Sequence, residues 1–223
     1  MLIEEAKWLG EYFCTLEQEY FPMVNIGSST EIFRGQIQPH IDEFIFNPLK
    51  EQGKKVLHAD IKDADGVDLV GDLNDEKYIE QIKMLGIKSV LCSNLLEHVV
   101  YPQDICHQLE NMLDPGGLII VTVPYRYPYH KDPIDTKFRP SIDELCKLFP
   151  NCIQMQGLIV TSSDCQAKSL WNKFRHGKIL NVFNIVKKWI LPLHGMDEWR
   201  KARGDIFHLF KSYQVTWTVL QKK

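Results

Sequence analysis

The chain has 223 residues, a mass of 26.0 kDa, 44% apolar and 25% charged side chains, and a net charge of −3 with a pI near 6.2. Such a chain buries a large core without disulfide staples, and its composition excludes a disordered tail, a fibrous repeat and a general nucleic-acid binder. There is no apolar run of about 18 residues, the acidic start MLIEEAKW does not read as a signal peptide, and six scattered cysteines form no CxxC pair, so a cytoplasmic protein with reduced thiols and without a zinc motif or other metal site is expected.

Residues 2–20 read as a helix, with Ile3, Ala6, Leu9 and Phe13 at helical spacing. Residues 21–26 form an apolar run stopped by Gly27-Ser28-Ser29-Thr30, a strand entering a loop. Residues 41–52 read as a helix ended by Gly53. Residues 55–61 (KVLHADI) and 67–73 (VDLVGDL) are the second and third strands, and 75–85 a helix capped by Gly86. Residues 88–93 (KSVLCS) are the fourth strand and 102–113 a helix. Asp114-Pro115-Gly116-Gly117 has turn composition. Residues 118–123 (LIIVTV) are apolar throughout, as a central parallel strand is. Ser141 followed by Glu144 predicts a capping box opening a helix over 141–148. Residues 153–161 and 212–221 read as closing strands. Alternating strands and helices spell a parallel α/β sheet.

In such a sheet ligands bind beyond the carboxyl ends of the strands. Four strand ends carry suitable residues: Asn25-Ile26-Gly27-Ser28-Ser29, Asp60, Asp72, and Ser93-Asn94-Leu95. Gly27 lets a backbone approach a ligand closely, the serines offer hydroxyls, and Asp60 is placed to take both hydroxyls of a ribose. Asp72 can accept from an amino group or anchor its own loop. Each signal alone is an ordinary turn or cap; four in consecutive strands are not.

The succession of strand with glycine loop, strand with Asp60, VDLVGDL, SVLCSNLLEHV and LDPGGLIIVTVP resembles the class I S-adenosylmethionine-dependent methyltransferases. Leu96-Glu97-His98-Val99 and Pro115-Gly116-Gly117 resemble their small-molecule branch. VPYRYPYHKDPID at 123–135, followed by Arg139-Pro140, resembles members associated with bacterial surface-polysaccharide biosynthesis. The resemblance spans residues 20–160 and the last strand. It implies a Rossmann-like α/β fold: a seven-stranded, mostly parallel sheet with helices on both faces and a helical insertion before the last strand, in one domain of residues 1–223. It implies S-adenosylmethionine as cofactor. Ile26, Gly27, Ser28 and Ser29 would lie under its methionine part, Asp60 and Ile61 at the ribose, Asp72 and Leu73 beside the adenine, and Ser93, Asn94 and Leu95 near the sulfonium. One departure stands out. The family's Gly-x-Gly-x-Gly is here Gly27-Ser28-Ser29-Thr30-Glu31, and a serine is tolerated there where φ is not positive.

Methyl transfer to a hydroxyl needs a base titrating near neutrality, and histidine fits. His98 follows the fourth strand and His130 the fifth. His130 is favoured, because Asp132 or Asp135 can orient its ring. The alternative is a rigid loop, stiffened by Pro124, Pro128, Pro133 and Pro140, in which aspartate accepts backbone N–H groups and pairs with Arg139. His58 and His107 are given no role.

The charge is split: residues 1–164 carry a net −12 and residues 165–223 a net +9. The basic part includes an insertion at 164–211, whose residues 179–193 hold 10 apolar side chains in 15, flanked by Lys178, Lys187, Lys188 and Arg200 with Trp171, Trp189 and Trp199 interleaved. A peripheral helix on an anionic membrane has this composition. So does a helix packed on the sheet, a homodimer interface or a lid over the acceptor site. The leading function is a methyltransferase for a small-molecule, glycan-like or lipid-linked acceptor. A nicotinamide dehydrogenase lacks its G-x-G-x-x-G here. A catalytically degenerate binding module of the same fold is the remaining alternative.

Overall fold

Two alternating apolar sets run along the central strands, and each demands a cover of helices. In the computed structural model, which describes residues 1–130, 133–175, 186–187, 190, 196, 199–200 and 209–223, both covers are present. The sheet has seven strands in the order β3-β2-β1-β4-β5-β7-β6. They are β1 (Met23–Ile26), β2 (Val56–Asp60), β3 (Leu69–Val70), β4 (Ser89–Ser93), β5 (Leu118–Arg126), β6 (Cys152–Cys165) and β7 (Ser212–Lys222). The first five are parallel, and β7 is antiparallel to both β5 and β6.

On one face Val24, Ile26, Val90, Cys92, Ile119 and Val121 pack with α3 (Glu76–Met84), α4 (Pro102–Asn111) and α5 (Ile142–Cys146). On the other, Met23, Leu91, Ile120, Trp217 and Val219 meet α1 (Ile3–Thr15), α2 (Asn47–Glu51) and the segment before it. The two sets follow the period-2 alternation of a strand. The mostly parallel sheet with helices on both faces is therefore as the sequence implied.

Boundaries differ from the sequence reading in instructive places. The predicted strand over 67–73 shortens to Leu69–Val70: at its start the Asp68 side chain takes one ladder position, its Oδ2 accepting from His58 N at 2.7 Å, while Asp68 N still donates to His58 O at 2.8 Å. Before α2, where the sequence suggested a helix only from 41, the chain makes two π turns, Phe33–Ile37 and Asp42–Phe46, separated by a break at Gln38 and Pro39; in the first, Gln38 N donates to Phe33 O at 2.8 Å. The capping box is present, with Ser141 N donating to Glu144 Oε2 at 2.8 Å and Glu144 N to Ser141 Oγ at 3.3 Å. After β6 comes α6 (Gln166–Arg175), the opening of the insertion; most of the apolar run at 179–193, Lys178, Lys188, Trp189 and Asp132 lie outside the described residues. Among the described residues no helix is long and apolar enough to cross a membrane.

Helix α1 is tied to the far edge of the sheet by one carboxylate. Glu4 accepts from Ser162 Oγ (2.9 Å), Ser163 N (3.0 Å) and Ser163 Oγ (2.9 Å). Burial works against its ionisation, but these bonds hold its pKa at about 2, below the ordinary 4.5. A depressed carboxylate stabilises the fold fully above its ordinary pKa and progressively less as pH falls toward the folded value. Glu4→Ala should lower stability by about 1–2 kcal/mol at pH 7, and urea denaturation between pH 5 and 2 should show a shallower acid loss than in the wild type.

Candidate functional site

Because β1, β2, β3 and β4 are parallel and in close register, their carboxyl ends open on one edge. Ile26 pairs with Ala59 and with Cys92, and Asp60 with Val70. At this edge lies a pocket of about 790 Å³. Ile26, Gly27, Ser28, Ser29, Asp60, Ile61, Asp72, Leu73, Ser93, Asn94, Leu95, His98 and His130 all line it. Asp135 stands behind the wall, against His130.

The first loop is built without the usual glycines. Gly27 has φ +68, and a Cβ there would lie 3.2 Å from Leu95. Ser29 also has a positive φ, 54. It occupies the left-handed region at a cost of about 1–2 kcal/mol that glycine escapes. Its N–H donates to Asp60 Oδ2 at 2.7 Å, while Lys62 N donates to Asp60 Oδ1 at 3.0 Å. The loop carbonyls are taken by a residue the sequence reading passed over. Arg34, 4% exposed, donates through one guanidinium nitrogen to Ser28 O (3.1 Å) and Ser29 O (2.8 Å), and through another to Gly66 O (2.8 Å). Asp72 accepts both N–H donors of Asn74 at 2.9 Å, so its Oδ1 anchors its own loop.

The floor beyond β4 rests on a second unforeseen group. Glu5 is fully buried; its Oε1 accepts from Asn94 Nδ2 at 2.7 Å and Thr122 Oγ1 at 2.6 Å, and its Oε2 from Leu2 N at 3.0 Å. Asn94 has φ 50, a turn that asparagine tolerates. A signal existed: Glu5, Leu9 and Phe13 share one helical face at intervals of four, so Glu5 is a charge in the apolar stripe. His58 takes the structural part: Asn25 Nδ2 donates to its Nδ1 at 3.2 Å, and burial, with Arg34 nearby, lowers its pKa to about 4.

At the other end of the pocket three titratable side chains converge. Glu97 and His98 sit on a 3-10 turn, Leu96–His98, after β4, and His130 in the loop after β5. Thr136 joins the two segments, its N and Oγ1 both donating to the Glu97 carbonyl at 2.9 and 3.0 Å. His98 Nδ1 lies 2.5 Å from Ile134 O. His130 Nδ1 lies 3.2 Å from Pro128 O and 3.4 Å from Asp135 Oδ2. These oxygens assign the proton to Nδ1 of each ring and leave each Nε2 as an acceptor. Asp135 sits at the centre of its loop. It faces the His130 ring, and it accepts from His130 N (2.9 Å), Lys137 N (2.7 Å) and Arg139 (2.8 Å). Burial alone would raise its pKa; these donors bring it well below the carboxylate range.

Glu97 is the third unforeseen residue, although it stands inside the LEHV segment. Its side chain is 1% exposed, and among the described residues neither carboxylate oxygen has a side-chain hydrogen-bond partner. Burial pushes its pKa up to about 7, against the opposing pull of its own backbone N–H and then of Arg139 and His130. His98 Nε2 is 3.7 Å from Oε1. One ring nitrogen from each histidine and a Glu97 oxygen lie within 4.8 Å of one another, and together they could hold a metal ion.

No protein-family model and no curated protein sequence matches this chain. Solved structures do. The MccD protein aligns over 98% of each chain at 11% identity with a TM-score of 0.53. A protein of Bacillus halodurans C-125, described as a methyltransferase, aligns over 96% of each at 8% identity and 0.51. Coclaurine N-methyltransferase, bound to N-methylheliamine and S-adenosylhomocysteine, aligns over 97% of this chain and 72% of its own at 11% identity and 0.50. The fold is that of the class I S-adenosylmethionine-dependent methyltransferases.

The loop's dependence on one guanidinium is testable. Arg34→Met strands three carbonyls, and thermal melting should show a loss of about 2–4 kcal/mol. Amide exchange at Ser28 and Ser29 should accelerate well before global unfolding.

Proposed function

We propose that the chain is an S-adenosylmethionine-dependent methyltransferase that methylates a hydroxyl of a small-molecule, glycan-like or lipid-linked acceptor. One observation carries the reading: the strand ends expected to cradle the cofactor line a single pocket that also contains His98 and His130. The residues fit the cofactor. Each Asp60 oxygen has one backbone donor and keeps another acceptor direction, so the carboxylate can take two ribose hydroxyls without surrendering its loop. Gly27 leaves the backbone bare where the methionine part would pass. Exposed Ile61 and half-buried Leu73 offer apolar surface beside the adenine.

The cofactor supplies a methyl group on a positively charged sulfur. The protein's contribution is alignment and the removal of one proton. Asn94 and Leu95 form the floor, the former fixed by Glu5, the latter packed against Gly27. His130 Nε2 accepts the acceptor's proton. Asp135 orients the ring through Nδ1 and stabilises the imidazolium that forms. His98 stands beside it, with ring centroids 5.1 Å apart.

The insertion at 164–211 belongs to the same single domain and recruits an anionic or lipid-linked acceptor. Each of its cations is worth about 1 kcal/mol near an anionic membrane. In co-sedimentation, anionic vesicles should retain more protein than neutral ones, and Lys187→Glu/Lys188→Glu should abolish the difference. Equal recovery from both vesicle types refutes the membrane contact; a solution dimer that buries Trp189 replaces it with an interface.

Calorimetry tests the cofactor. S-adenosylhomocysteine should bind the wild type, and Asp60→Ala should weaken it by about 2–4 kcal/mol, some thirty- to a thousandfold. Unchanged affinity in the folded variant removes Asp60 from the site. No binding to the wild type leaves only the degenerate module.

A further inference from the structure

We infer that Glu97, His98 and His130 form a binding site for a divalent first-row transition cation, with zinc or ferrous iron the best match. A buried carboxylate needs a positive or hydrogen-bonding partner, because leaving it unpaired in an apolar setting is expensive. Both Glu97 oxygens are buried and, among the described residues, without such a bond; His98 Nε2 is 3.7 Å from one of them. That separation is too long for a hydrogen bond and close to what two ligands of one ion adopt. With bonds of about 2.0–2.2 Å, tetrahedral ligand atoms stand roughly 3.3–3.6 Å apart. The three ligand atoms stand within 4.8 Å of one another, so side-chain rotations that move them by up to about 1 Å close the set around an ion.

The histidines are prepared in the same sense. A metal-bound imidazole almost always donates its other N–H to a carbonyl or carboxylate, which fixes the tautomer. Here His98 Nδ1 has Ile134 O and His130 Nδ1 has Pro128 O with Asp135 Oδ2. Both Nε2 lone pairs remain for the ion, and Thr136 already ties the two segments together through the Glu97 carbonyl. Two imidazoles and one carboxylate suit zinc, iron, cobalt or nickel better than magnesium or calcium, which prefer all-oxygen sets. Three protein ligands leave coordination positions open, as catalytic metal sites do. Those positions face the pocket, where an acceptor oxygen can coordinate and lose its proton to water. In the loaded protein the cation replaces His130 Nε2 as the activating group. That last role rests on the methyl-transfer reading; binding of the ion does not.

The experiment uses the full chain, stripped with a chelator, without cofactor or acceptor. Zinc should bind at one equivalent by elemental analysis and calorimetry and should raise the melting temperature. Cobalt should give visible bands of a nitrogen- and oxygen-ligated ion without the thiolate charge-transfer absorption that the free cysteines would produce. Glu97→Gln and His130→Gln should each weaken zinc at least tenfold and remove most of the thermal shift, while His107→Ala, at an exposed histidine away from the cluster, should not. Melting curves without metal establish that each variant folds. Absence of binding, a thiolate spectrum, or equal zinc affinity in folded Glu97→Gln and His130→Gln overturns the site. S-adenosylhomocysteine calorimetry on the same preparation fails or succeeds independently, so the two readings are judged apart.

Discussion

A loop that must fold tightly around a ligand has backbone groups to satisfy and little room for side chains. The usual solution is several glycines; this chain has one and adds Arg34. Its guanidinium accounts for the carbonyls of Ser28, Ser29 and Gly66 at once, which turns three polar atoms from liabilities into a brace. With the carbonyls drawn toward Arg34, the Ser29 N–H turns to Asp60, and Asp60 in turn takes Lys62 N. The positions of the first two strand ends thus follow from one buried cation. Gly66 belongs to the same device. A Cβ there would come within 2.9 Å of the Arg34 guanidinium and closer still to Glu31.

The opposite half of the pocket relies on a buried anion in the same way. Glu5 reaches from α1 to Asn94 and Thr122, and so couples the first helix to the ends of β4 and β5. Asn94 can then hold its left-handed turn without leaving its amide unpaired. Arg34 and Glu5 are thus counterparts, each a charge removed from solvent and spent on several short hydrogen bonds. Glu97 differs from both. It is as deeply buried, yet among the described residues it lacks the side-chain partners that justify burial for the other two, and this contrast singles it out.

The layout was legible where it depends on periodicity. LIIVTV could only be a central strand, SVLCS its neighbour, and Ser141 with Glu144 a helix start; strand order and pocket edge then follow from parallel topology. The residues carrying strand-end signals, from Gly27 to Leu95, accordingly share one pocket. What periodicity hides is a charge serving the interior. Arg34 lies in a short π turn, Phe33–Ile37, that a break at Gln38 cuts off from the helical segment after it, so no helical spacing marks it. Glu5 reads as a solvated acid until its interval to Leu9 and Phe13 is noticed. Glu97 was in view, but nothing local to LEHV tells that Thr136 and His130 arrive from 30 to 40 residues downstream. The shortening of β3 has the same origin, a side chain of Asp68 doing what a backbone carbonyl would have done.

The charges around the pocket bear on what it can hold. Asp60, Asp72, Glu5 and Glu97 line it with Arg34 and Lys62, and Arg34 is committed to carbonyls. A concave site walled by carboxylates over apolar strands focuses a negative potential. Such a potential favours a cationic ligand over an anionic one, as the proposed sulfonium and divalent ion would require. It disfavours a phosphate or sulfate group entering deeply. Under the proposed function an anionic acceptor would keep its charge outside the pocket and present only its neutral hydroxyl to the interior. The −12 and +9 halves then have distinct duties. Under the proposed function the acidic body favours the positive groups of the reaction, and the basic segment would meet the charge of the acceptor.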